Sequence, residues 1–163
     1  MWLFLLHAIY NRDKGPSRPE QLGGQTMMFK KILVPVDLAH SELAGKMINL
    51  AREMGGKDAD IVVMHVVHDI PVYAAVEISG ELLEQSQKWA KNELEKLAKD
   101  NKIAGKTELR HGSPGTAIVE AAAEHKADLV IVASHKPGLS DYFLGSTAAR
   151  VVRHAQCPVL VMR

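Results

Sequence analysis

From Lys30 onward the chain alternates between short runs of β-branched apolar residues and longer segments whose apolar positions recur every three or four residues. "KKILVPVD" reads as the first strand, with Pro35 marking where regular pairing stops. From Ser41 to Met54, the residues Leu43, Met47, Leu50, Ala51 and Met54 fall at helical spacing. Ser41 is the expected N-cap of that helix and Gly55-Gly56 its stop. "ADIVVMHVVHDI" is almost uniformly apolar, as a strand covered on both faces should be. A connection through "PVYAAVEIS" leads to a longer helix over about residues 80–100, with Leu83, Ala90, Leu94 and Leu97 on one face. Glu84-Lys88 and Glu95-Lys99 have the favourable i,i+4 order for its exposed surface.

"KTELRH" is a more polar strand, which predicts a place near the edge of a sheet. Ser113 as N-cap and Pro114 at the first helical position open a helix to about Lys126. "ADLVIVAS" is a further buried strand, a helix follows over about residues 146–155, and "CPVLVMR" supplies a short last strand. Five strands separated by four helices, with no hairpin turn, predict parallel strands joined by right-handed crossovers. The expected fold is therefore an open, doubly wound α/β domain with helices on both faces of the sheet. Ligands of such folds bind beyond the carboxyl ends of the strands, where the winding reverses. That rule points at Asp37, at the region from Val66 to Ile70, and at the loop opening with Ala133.

Composition narrows the classes of function. A chain of 163 residues suits one domain with a self-sufficient core, and 47% hydrophobic with 24% charged residues is ordinary for a globular protein. A formal net charge of +1 and 5% aromatic residues give no footprint for nucleic acid or an anionic membrane. Cys157 is the only cysteine, so no intrachain disulfide can form, and a reducing cytoplasm is the expected compartment. The opening "MWLFLLHAIY" is apolar but too short to span a bilayer and lacks a preceding basic region, so no stable membrane insertion is expected. Residues 1–27 are expected to be a disordered or weakly helical leader, with Met27 and Met28 as alternative starts, ahead of a domain over 28–163.

Among candidate groups, Gly145-Ser146 precedes the helical spacing of Ala148, Val151, Val152 and Ala155, which makes Ser146 the expected N-cap of that helix. Unpaired N–H groups at such a helix start, with the positive end of its dipole, can hold an anion, and Thr147 adds a second hydroxyl. An ordinary helix cap is the competing reading. Asp37 ends the first strand, where a carboxylate can accept hydrogen bonds from a ribose or adenine, hold Mg²⁺ through water, or cap the next helix. His65 and His68 lie three apart on a strand, which sends them to opposite faces and makes them poor joint metal ligands. His135 lies in the loop itself. Arg150, Arg153 and His154 suit the end of the last helix. A phospho-receiver role fails because the required acidic pair and phosphorylatable aspartate are missing from "VDLA" and "KTELRHGS". "VPVDLAHSEL" also lacks a dinucleotide glycine pattern, and no Walker sequence, nucleophile elbow or zinc helix occurs. No nucleophile–base pair can be named, so catalysis is not the expected main role.

Taken together, "KKILVPVDLAHSELAGKMINLA", "HGSPGTAIVEAAAEHKADLVIVASHKP" and "FLGSTAARVVRHAQCPVLVMR" resemble the universal stress protein family, and the last two blocks resemble its bacterial F/G-type branch. The resemblance implies the adenine nucleotide alpha hydrolase-like sheet order 3-2-1-4-5. It also implies binding of ATP, or of AMP or ADP, with or without Mg²⁺, at most slow hydrolysis, and a homodimer through the last strand with a regulatory protein partner. Nucleotide-binding members carry G-x-x-G, nine residues, then G-S/T. Here Ala133 and Lys136 stand at the two glycines, and eight residues rather than nine precede Gly145-Ser146. The implied site comprises Pro35, Val36 and Asp37, then Val66, then Ala133, Ser134, His135, Lys136 and Gly138, and finally Gly145, Ser146 and Thr147. Asp37 and Val66 would meet adenine or ribose, Ala133 the ribose, and Gly145 to Thr147 the phosphates. The alternative is a nucleotide-free interaction module whose altered loop has lost phosphate binding.

Overall fold

A computed structural model describes residues 29–68, 80–103, 105–134 and 144–162. The strands are β1 (Lys31–Pro35), β2 (Asp60–Val67), β3 (Thr107–His111), β4 (Leu129–Ala133) and β5 (Val159–Met162). The helices are α1 (Ser41–Gly55), α2 (Gly80–Asp100), α3 (Pro114–Glu124) and α4 (Ser146–His154), and a 3-10 turn spans Leu38–His40. All strand pairs are parallel and the order is β3-β2-β1-β4-β5. The expected doubly wound α/β fold is thus present, with the winding reversing between β1 and β4.

Strand pleating divides the core in two. Ile32, Val34, Val36, Ile61, Val63, Leu129 and Ile131 face one way and are covered by α1 through Met47, Ile48 and Ala51, and by α2 through Leu94. Leu33, Val62, Met64, Val130 and Val132 face the other way against Ile118 and Ala121 of α3 and Val151 of α4. Central strands buried on both faces must be apolar throughout, which is why β1, β2 and β4 read as continuous runs. β3 lies at an edge and all its residues are at least partly exposed, in keeping with its polar sequence. At the amino ends of β1 and β4, the Asp128 carboxylate accepts from the backbone N–H groups of Lys30 and Lys31 at 2.8 and 3.0 Å.

Chain reversals follow local chemistry. α1 stops at Gly56, whose φ of 74° favours glycine. Ser113 and Pro114 open α3 as expected, with the Ser113 carbonyl accepting from Thr116 and Ala117. Two caps differ from the sequence reading. Ser41 is the first residue of α1 rather than its cap, because Asp37 takes the capping role one turn earlier and starts the 3-10 turn. Likewise Gly145 occupies the cap position of α4 and Ser146 its first turn.

Candidate functional site

A cleft of about 310 Å³ opens at the carboxyl ends of β1, β2 and β4, a volume suited to a small organic ligand. Pro35, Val36 and Asp37 enter it from β1, His65, Val66 and His68 from β2, and Val132 and Ala133 from β4. Leu43, Ala44 and Met47 of α1 form one apolar wall, and Pro114 and Ile118 of α3 another. Gly145, Ser146, Thr147 and Ala148 bring in the amino-terminal turn of α4. The cleft therefore combines an apolar slot, one carboxylate, several imidazoles and a helix start whose N–H groups have no intrahelical acceptor.

Of the residues singled out in the sequence, Pro35, Val36, Asp37, Val66, Ala133, Gly145, Ser146 and Thr147 all line this one cleft. Ser134 does not line it, but its Oγ accepts from the Gly145 N–H at 3.4 Å and ties the end of β4 to the start of α4. His135, Lys136 and Gly138 lie outside the described residues, as does the leader over 1–27.

Asp37 has two partners. Oδ1 accepts from the Ala39 N–H at 3.0 Å, and Oδ2 faces His40 Nδ1 at 3.1 Å. Burial alone would raise its pKa. The Ala39 N–H, the His40 hydrogen bond and the positive charges of His40 and His65 outweigh burial and hold the carboxyl below its ordinary 3.8. An ionised carboxylate only accepts, so His40 Nδ1 is the donor of that pair. His65 lies 2.9 Å from the Val36 carbonyl through Nδ1, which must likewise donate, and this fixes the ring against the end of β1.

His40 is the titratable lining residue the sequence reading passed over; its only local signal is the three-residue spacing from Asp37. His68 corrects a different inference. Pleat alternation was expected to send His65 and His68 to opposite faces, yet both line the cleft. β2 ends at Val67, so the alternation no longer governs His68. Among the described residues no cluster of three or more His, Cys, Asp or Glu side chains could hold a metal ion. Asp37 is the one carboxylate that lines the cleft among the described residues. Cys157 lies elsewhere, packed beside the second core; burial, helped by the Asp128 carboxylate, pushes its thiol up to about 11, so it is no thiolate nucleophile.

A profile of the Universal stress protein family matches residues 28–163. The chain belongs to the universal stress protein family. Universal stress protein MJ0531 of Methanocaldococcus jannaschii is 35% identical over 144 residues, covering 83% of each chain. Universal stress protein G of Salmonella typhimurium is 33% identical over 145 residues, covering 83% of this chain and all of its own. Among solved structures, the hypothetical protein MJ0577, whose biochemical function was assigned from its structure, superposes with a TM-score of 0.67. It is 29% identical, over 83% of this chain and 96% of its own. The sheet order 3-2-1-4-5 is thus that of the family's adenine nucleotide hydrolase-like fold. No helix among the described residues is long and apolar enough to cross a membrane.

Proposed function

We propose that this universal stress protein binds an adenine nucleotide, ATP or its AMP and ADP forms, in the cleft and works as a dimeric regulatory module. The observation that carries the reading is Gly145. Its φ of −56° needs no glycine, and a Cβ built there would meet nothing within 4 Å among the described residues. Neither backbone strain nor packing among the described residues calls for a glycine here, which leaves its preference for helix caps and the close approach of a phosphate to the N–H groups, and the second supports the nucleotide reading.

In this reading the adenine and ribose occupy the slot beside Val36, Val66 and Ala133, with Asp37 as a hydrogen-bond acceptor. The phosphates lie on the α4 start, where Ser146 and Thr147 add hydroxyl donors. His135, Lys136 and Gly138 belong to the loop that would complete this side. The resemblance to the F/G-type branch adds a cytoplasmic setting and pairing of two copies through β5, an edge strand that a second copy would extend. Occupancy would then alter dimer shape or the choice of a regulatory protein partner. Any hydrolysis would be slow, since Asp37 is the only lining carboxylate among the described residues and it already caps a turn.

Isothermal titration of the full chain with ATP, AMP and GTP tests the proposal. ATP is expected to bind in the micromolar range, about −8 kcal/mol. Gly145→Val should weaken it at least about 30-fold by filling the space a phosphate needs, while the loss of a favoured cap residue at the start of α4 should cost only about 1 kcal/mol of stability. No heat and no thermal shift at millimolar ATP would leave a nucleotide-free interaction module in its place. Unchanged affinity in Gly145→Val would remove the phosphate assignment.

A further inference from the structure

The titratable groups lining the cleft are Asp37, His40, His65 and His68, one acid facing three imidazoles, among the described residues. α1 and α3 contribute only apolar side chains there, and α4 only Gly145, Ser146, Thr147 and Ala148. The charged groups of the two helices packed against the Leu38–His40 turn do not line the cleft: Glu42 and Lys46 of α1 pair with each other at 2.7 Å, and α2 carries Glu81, Glu84 and Lys88 along its first half. Left alone, the Asp37 carboxylate would repel every additional phosphate placed on the α4 start.

Resting on the nucleotide reading above, we propose that His40 is a specificity residue of the cleft. Protonated and held against Asp37, it cancels the carboxylate's charge and favours ligands with several phosphates over those with few or none. The geometry supports a positioned charge rather than a wandering one. Asp37 Oδ1 is fixed by the Ala39 N–H, so Oδ2 holds the His40 ring at 3.1 Å within the same short turn. The Asp37 and His40 side chains are 64% and 51% exposed, so the pair stands at the solvent-facing mouth of the cleft. Histidine as a class changes charge between about pH 5 and 8. Selection for a polyanion should therefore strengthen as the pH falls through that range. Screening across a solvent-filled cleft limits the effect of one charge on ATP to roughly threefold to tenfold.

The test compares adenosine, AMP and ATP by titration calorimetry on the full-length protein at about pH 8 and about pH 6. Three proteins are needed: wild type, His40→Asn, which keeps a donor for Asp37 but cannot protonate, and His40→Lys, which carries a fixed charge. In wild type the preference for ATP over adenosine should grow by about threefold to tenfold on acidification. In His40→Asn that growth should shrink markedly, and in His40→Lys the preference should already be present at the higher pH. The ligand's own secondary phosphate ionisation near pH 6 lowers the charge of ATP equally for all three proteins, so it cancels when the pH-dependent preference of each variant is divided by that of wild type. ATP binding whose pH-dependent preference is unaltered in His40→Asn overturns the role of His40 while leaving the nucleotide site standing. Absence of binding by wild type at either pH removes the nucleotide reading, and this role with it.

Discussion

Asp37–His40 and Glu108–His125 are the same two functional groups in two settings. The first pair closes a three-residue turn at the mouth of the cleft, and both side chains are more than half exposed. The second joins β3 to the C-terminal end of α3, where both side chains are only about one quarter exposed. There the carboxylate is shared: Glu108 accepts from His125 Nε2 and from Arg110 Nε. The same guanidinium reaches on to Glu124, with Nη2 2.5 Å from its Oε2. Burial alone would lower the Arg110 pKa, but the two glutamates raise it, so it stays cationic throughout. One pair stands on an exposed three-residue turn, whereas the other belongs to a four-residue lock holding an edge strand to its helix. Placement, not residue type, separates the two pairs, and under the proposal above it makes one responsive to ligand and the other structural.

The largest expected consequence is in stability. Glu108→Ala removes the shared acceptor and leaves half-buried donors on Arg110 and His125, which should cost about 2 kcal/mol in urea unfolding. Asp37→Ala loses a cap bond on an exposed turn, and should cost about 1 kcal/mol or less. Equal losses in the two variants would break the distinction between lock and sensor.

Acid should separate the pairs next. Burial would raise the Glu108 pKa, but hydrogen bonds from His125 and Arg110, and their charges, hold the carboxyl below its ordinary 4.5. Its contribution is therefore fully present above pH 4.5 and is lost as the pH falls through the depressed folded value. Asp37 follows the same sign from its ordinary 3.8, but its exposure screens the effect. Urea midpoints measured from neutral pH down to about pH 3 should fall less steeply in Glu108→Gln than in wild type, while Asp37→Asn should change the slope little. A wild-type slope in Glu108→Gln would show that the lock does not carry the acid sensitivity.

How much of this was legible in the sequence depends on the range of the interaction. The continuous run Ile32-Leu33-Val34 and the run from Leu129 to Val132 announce strands buried on both faces, and "KTELRH" announces an edge. Gly56 marks the end of α1 because its positive φ is a local demand. The switch-point rule, together with the family resemblance, singles out eight residues that line one cleft. The Leu38–His40 turn escaped notice, since three residues are too few to show a period, and with it went His40. The lock also escaped: Glu108 and Arg110 share a face of β3, but their partners lie 14 to 17 residues on, across a strand-to-helix packing that no local pattern encodes.

The smallest expected effect tests the histidines themselves. His125→Asn removes the ring from a half-buried carboxylate that Arg110 still satisfies, so about 1 kcal/mol of stability should be lost at neutral pH. His40→Asn keeps a donor within reach of Asp37 on an exposed turn, and its stability should lie within about 0.5 kcal/mol of wild type. Thermal melts of the two variants side by side, followed by ATP titration, would sharpen the contrast. His125→Asn should shift the melt and leave affinity and its pH profile intact, because the lock lies outside the cleft lining. His40→Asn should do the reverse. A melt shift for His40→Asn as large as that for His125→Asn would mean that the cleft pair also supports the fold, and its charge could then not vary independently of stability.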